Sequence, residues 1–182
     1  MLIKEAQREI RTAYFGGFAG QLIAGLIWAL SAAIGTWGTP RLGMAVLFFV
    51  SMLLFPATQL ALKLMGRPAK LSAGNTLNQL ATQIAFTVPI GFILVGAATL
   101  YRENWFYPAS MVVVGAHYLP FIFLYGMPQF GILAGSLIAA GVGIGLYGPD
   151  QFSLGGWISA VIFVIFAFVG RSTVLKEEGR HN

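Results

Sequence analysis

Six stretches of largely apolar residues, near 14–36, 42–65, 78–100, 106–126, 128–147 and 153–170, run through the chain. A helix needs about 20 such residues to cross a hydrocarbon core roughly 30 Å thick. That core holds no water, so each backbone N–H and C=O must find its partner inside the segment, and the stretches are predicted to be transmembrane helices. The expected fold class is all-α: a polytopic membrane protein of six transmembrane helices in a single domain over 1–182. Composition agrees, with 57% hydrophobic and 9% charged residues, against about 45–50% and about 25% in soluble domains. Turn-forming residues punctuate the stretches, among them Gly38 and Pro40, Gly66 and Pro68, Gly126 and Pro128, and Gly148 and Pro149. Pro56, Pro89 and Pro120 fall inside spans two, three and four and predict a bend in each, because proline removes a ladder donor and crowds the preceding turn.

Charge sets the expected orientation. Lys4, Arg8, Arg11, Lys63, Arg67, Lys70, Arg171, Lys176 and Arg180 fall on one side of the alternating spans, against Arg41 and Arg102 on the other. Cytoplasmic loops are enriched in Lys and Arg, so both termini are expected in the cytoplasm, N-in/C-in. Trp37, Tyr101, Trp105, Tyr107, Tyr147 and Trp157 then fall near the outer interface, where amphipathic rings favour headgroup depth. The net charge of +5 thus records topology and gives no support to a nucleic-acid partner. Residues 1–13 place Leu2, Ala6, Ile10 and Ala13 at helical spacing among charges, which predicts a short interfacial amphipathic helix. The long apolar stretch that follows, without a convincing small-residue cleavage site, disfavours a cleavable signal peptide.

The two halves share letters. Gly38, Pro40 and Gly43 match Gly126, Pro128 and Gly131, while Phe92, Val95, Gly96, Thr99 and Glu103 match Phe166, Val169, Gly170, Thr173 and Glu177. Three spans per half would make a 3+3 inverted repeat, an arrangement common in transporters. Chance matching between apolar helices is the competing explanation, and architecture alone assigns no function.

Chemistry has few places to reside. No Asp, Glu, Lys or Arg lies deep in a span, which disfavours a proton-driven pump of the usual kind. His117, beside Tyr118 in span four, is an ionisable group at membrane depth and a candidate proton relay or ligand contact; a neutral histidine bonded to a neighbouring helix is the plainer alternative. The chain has no cysteine, and the only other histidine is His181, so no metal site and no cofactor is expected. Gln21, Gln59, Gln79 and Gln83 belong to a set of amides and hydroxyls in the inner halves of the first three spans. They either line a cavity open to the cytoplasm or bond helix to helix. Thr76 with Gln79 fits a helix-capping box. Arg67 and Lys70, in the loop from Gly66 to Asn75, are candidates for an anionic lipid headgroup or a phosphate, with positive-inside bias as the bland explanation. The loop lacks P-loop spacing, and no serine, histidine and carboxylate set indicates a hydrolase. Gly131, Gly135, Ala139 and Gly143 form a row at i+4 spacing in span five, suited to contact within the subunit or to a homo-oligomer.

Three blocks of residues carry a resemblance: Tyr14, Gly16, Gly17, Gly20, Gln21, Gly25 and Trp28; Lys63, Leu64, Gly66, Arg67, Lys70, Gly74 and Asn75; and a run from Tyr101, Arg102 and Trp105 through Pro108, Gly115, Tyr118 and Leu119 to Tyr125, Gly126 and Met127. In these the chain resembles a family of small bacterial integral membrane proteins with no assigned activity. The resemblance implies a bacterial inner membrane, and His117 stands outside its pattern. The leading expectation is a passage or binding protein for a small solute, ion or lipid. A non-catalytic membrane subunit packed against a partner is the alternative, and an intramembrane enzyme using His117 is a third.

Overall fold

The computed structural model describes residues 1–179, so Arg180 and His181 lie outside the described residues. These form helices and no strand. An amphipathic helix, α1 (Ile3–Ala13), turns through a 3₁₀ segment (Phe15–Gly17) into α2 (Phe18–Trp37). There follow α3 (Pro40–Ser51), α4 (Leu54–Leu64), α5 (Asn78–Ala85), α6 (Thr87–Tyr101), α7 (Phe106–Tyr118), α8 (Phe121–Tyr125), α9 (Gln129–Tyr147) and α10 (Leu154–Glu178). Five segments are long and apolar enough to cross a membrane: Phe15–Trp37, Asn78–Tyr101, Glu103–Tyr125, Gln129–Tyr147 and Leu154–Glu178. The sixth expected span is the pair α3 and α4, bent by 56° at their junction, so there are five candidate spans, or six if the bent pair is one span.

All three internal prolines coincide with breaks: those at Pro56 and Pro89 lie just before the proline, and the third includes Pro120 itself. Pro56 has no N–H to offer the Met52 carbonyl, and the ladder opens at Met52 and Leu53 between α3 and α4. Pro89 stands in a similar relation to the α5–α6 junction at Phe86, whereas Pro120 sits in the α7–α8 junction as the N-cap of α8. The start of α5 departs from the sequence expectation. Thr76 is exposed, and Asn75 orders the approach, its side-chain oxygen accepting from the Leu77 N–H at 2.9 Å.

In the bundle α2 packs against α10 on one side and α3 and α4 on another; α10 also meets α9 and α7, and α6 lies outermost against α7. Trp28, Tyr107, Met111, Phe130, Leu133, Leu137 and Phe163 fill the middle, all buried. The chain packs tightly at Gly16 and Gly170: a Cβ on Gly16 would come within 2.6 Å of the Gly170 carbonyl oxygen. Gly16 and Gly17 also take positive φ, +63° and +83°, where the chain turns from α1 into α2. The α7–α9 seam closes on Gly115 and Gly141 rather than on the glycine row of α9.

Two ends are distinct. Ion pairs join α1 and the loop after α4 to the end of α10, and all three gather at one end. At the other, the Trp157 indole donates to Thr36, Trp105 donates to the Gly145 carbonyl at 3.1 Å, and Arg102 meets Asp150. Trp37, Tyr101 and Tyr147 are exposed there as expected. Tyr107 is not: it is wholly buried, its hydroxyl 2.6 Å from Ser31 Oγ, which itself donates to the Gly43 carbonyl. Gly156 leaves the space for its ring.

Candidate functional site

The candidate site is the end of the bundle that carries most of the cations, and α1 builds it. Ala6, Ile10 and Ala13 bury one stripe of α1 and leave its charged side chains on the other faces. Arg11 is held by both Glu177 oxygens, at 2.8 and 2.6 Å, and donates to the Tyr125 carbonyl. Such forked pairing fixes orientation as well as charge. Gln7 donates to the Phe123 carbonyl at 2.6 Å, tying α1 to α8. Arg67 pairs with Glu178 at 2.5 and 3.1 Å and lies 3.9 Å over the Phe15 ring.

Glu9 organises the loop after α4. One oxygen accepts the Ser72 backbone N–H at 2.5 Å, and the other accepts from the Ser72 hydroxyl and the Asn75 amide. The Ser72 N–H, with the Asn75 amide next in effect, holds the Glu9 carboxyl below its ordinary value of 4.5. Between α1 and this loop runs a groove of about 380 Å³ lined by Glu5, Arg8, Glu9, Thr12, Ala13, Pro68 and Lys70. At the opposite end Asp150 titrates below its ordinary range because Asn104 and then Arg102 bond to it, but it is fully exposed.

The residues singled out from sequence do not converge. Gln21 is buried in α2, its side-chain oxygen without a partner among the described residues. Gln59, on α4, approaches the Tyr14 hydroxyl. Gln79 and Gln83 lie exposed on α5. His117 Nδ1 is 2.8 Å from Thr87 Oγ1, whose hydroxyl donates to the Ile84 carbonyl, so the imidazole spans the α5–α6 break. Tyr118 is buried against Phe130, with rings stacked at 6.1 Å. Arg67 is engaged by Glu178, whereas Lys70 has no ion pair among the described residues. No group of three or more His, Cys, Asp or Glu side chains placed to hold a metal occurs among the described residues.

Sequence reasoning missed Gln129, whose Nε2 is buried without a partner among the described residues while its oxygen accepts from Thr173. Gln129 and Gln21 flank the same glycine turn: Cβ atoms placed on Gly17 and Gly170 would meet Gln21 at 3.3 Å and Gln129 at 3.4 Å. No spacing rule connects positions 21 and 129, which only the α2–α9–α10 packing brings near each other. The Arg11–Glu177 and Arg67–Glu178 pairs were equally invisible, although opposite charges at two termini of one side were there to be matched.

Helices of this length and composition, and a polar inventory this sparse, define the class: a helical integral membrane protein. The model of a family of unknown function, DUF7010, matches residues 3–172, and the chain belongs to that family. No curated protein and no solved structure matches the chain.

Proposed function

We propose that the protein is a non-catalytic membrane subunit that associates laterally, in the first place with a second copy of itself. The observation that carries this reading is the outward face of α9. Gly135 and Ala139 are exposed, and Cβ atoms placed on Gly135 or Gly143 would meet nothing within 4 Å. Small residues at i+4 spacing let helix backbones approach closely, which is the main source of helix affinity where lipid tails are as apolar as leucine. Within the subunit that role falls to Gly115 and Gly141, and Gly131 faces Ile122 of α8, which leaves Gly135 and Gly143 open and Ala139 exposed. In the same reading the end bearing α1, the 66–77 loop and the last turns of α10 faces the cytoplasm of a bacterial inner membrane, supported by its excess of Lys and Arg.

The chain has no cysteine, so single-cysteine variants test this directly. Ala139→Cys in native membranes should give an oxidised dimer, while Ile93→Cys, on the exposed face of α6, should not. Monomer from both variants under oxidation refutes self-association through α9.

A second reading, a binding or passage protein for a small solute or lipid, is favoured by Gln21 and Gln129. A buried acceptor and a buried donor, each unmatched beside one glycine turn, suit a ligand that carries both functions. A panel of small polar solutes should then raise the unfolding midpoint of the wild type and leave Gln21→Leu unmoved. The inverted relation of two three-span halves belongs to this reading, with α2 on α3 and α7 on α9 as matching pairs.

A further inference from the structure

We infer that the groove between α1 and the loop after α4 is a binding site for the phosphate of an anionic phospholipid headgroup, held between Arg8 and Lys70. Both cations line the groove, and neither has an ion pair or hydrogen bond among the described residues. Of the other basic groups of α1 and this loop, Arg11 and Arg67 are each gripped by a carboxylate of α10, and Lys4 lies outside the groove.

The carboxylates of the groove are also engaged. Glu9 accepts from Ser72 and Asn75, and Glu5 turns back to the start of its helix to accept the Leu2 N–H at 2.9 Å. Their oxygens are thus directed at N–H and O–H donors, while the guanidinium and ammonium groups stay open to an anion. Ala13 and Pro68 supply an apolar floor. The volume of about 380 Å³ falls at the lower end of small-ligand sites, roughly 300–1,000 Å³.

Placement selects the lipid. Thr12 and Ala13 immediately precede the first span at Phe15, and Leu64, 80% exposed, ends the apolar α4 that leads into the loop. A headgroup at this depth has its acyl chains beside exposed apolar helix surface. Any juxtamembrane cation near the surface is drawn toward an anionic leaflet, so a built site must exceed what equally exposed cations elsewhere on the same end provide. Lys63 and Lys176 are such cations, both exposed and outside the groove.

The experiment measures binding of phosphatidylglycerol and of phosphatidylcholine to the purified full chain in detergent, by native mass spectrometry and by the shift in unfolding midpoint. Wild type should bind phosphatidylglycerol at least tenfold more tightly than phosphatidylcholine. Arg8→Gln with Lys70→Gln should abolish that preference, and Arg8→Lys should retain part of it, which separates charge from misfolding. Lys63→Gln with Lys176→Gln should change it less than threefold. An equal loss in the Lys63 and Lys176 pair overturns the site in favour of diffuse surface charge. Inorganic phosphate producing the same midpoint shift as phosphatidylglycerol at equal concentration overturns the lipid assignment.

Discussion

The first and third spans are both apolar enough to cross a membrane, yet half of the first span's most apolar window is buried inside the bundle and only 11% of the third's. The first, α2, runs between α10, α3 and α4, with Gly16 and Gly25 pressed against the α10 backbone. The third, α5 and α6, touches mainly α7 and presents Phe86, Ile90, Ile93 and Leu94 outward. Hydrophobicity therefore says that a helix enters the membrane, and backbone-to-backbone approach says whether it enters the core. The glycines make the contrast sharp. Gly96 and Gly170 are partners in the sequence match between halves, but Gly170 abuts Gly16 while a Cβ on Gly96 would meet nothing within 4 Å.

The largest expected effect follows from that pair. Gly16→Ala should destabilise the protein by about 1–3 kcal/mol from overpacking, with a further 1–2 kcal/mol, roughly, for a Cβ in the left-handed region. The midpoint of unfolding in detergent should fall accordingly, and an unchanged midpoint would break the comparison. Gly96→Ala should instead be neutral or stabilising by up to about 1 kcal/mol, the ordinary helix-propensity gain. Next in size, Tyr107→Phe removes the hydroxyl bonded to Ser31 and should cost about 1 kcal/mol, while Tyr101→Phe at the exposed end of α6 should cost nothing measurable.

On the loose side, His117→Ala releases the bond to Thr87 and should cost about 0.6 kcal/mol, typical of a side-chain bond between helices in a membrane. Hydrogen exchange should then rise at residues 83–87 and stay level in α2; equal protection in both variants would show that the α5–α6 break is held by something else. The smallest effect concerns Glu9. Its folded-state pKa lies below the ordinary 4.5, so its contribution is complete above that value and disappears as pH falls through the folded pKa. Exchange in the 66–77 loop should increase on acidification below about pH 4.5, and Glu9→Gln should remove that pH dependence.

What was legible in the sequence was whatever depends on a residue and its immediate neighbours. Of the five segments long enough to cross a membrane, four begin and end within a few residues of the apolar stretches, and α10 begins with its stretch but runs on to Glu178. Pro56 and Pro89 mark their breaks because a missing donor acts four residues away, and Pro120 because its ring suits the start of the next helix. Which face of each helix meets protein was not legible, since lipid and core are equally apolar. Hence Tyr107 reads as an interface residue and is buried, and Gln79 and Gln83 read as cavity candidates and stand exposed. The candidate site was half visible: Lys70 and the amphipathic α1 were, but the carboxylates that occupy Arg11 and Arg67 come from the far end of the chain.

The clamp on α1 also sets a timetable for biogenesis. Arg11 and Glu177 are 166 positions apart, and ribosomes add roughly 5–20 residues per second, so about ten to thirty seconds separate the two partners during synthesis. Throughout that interval the first helix has no carboxylate of α10 to grip, and it must rest on the bilayer surface or on the insertion machinery. The early spans are accordingly made before the fastening that later secures them exists.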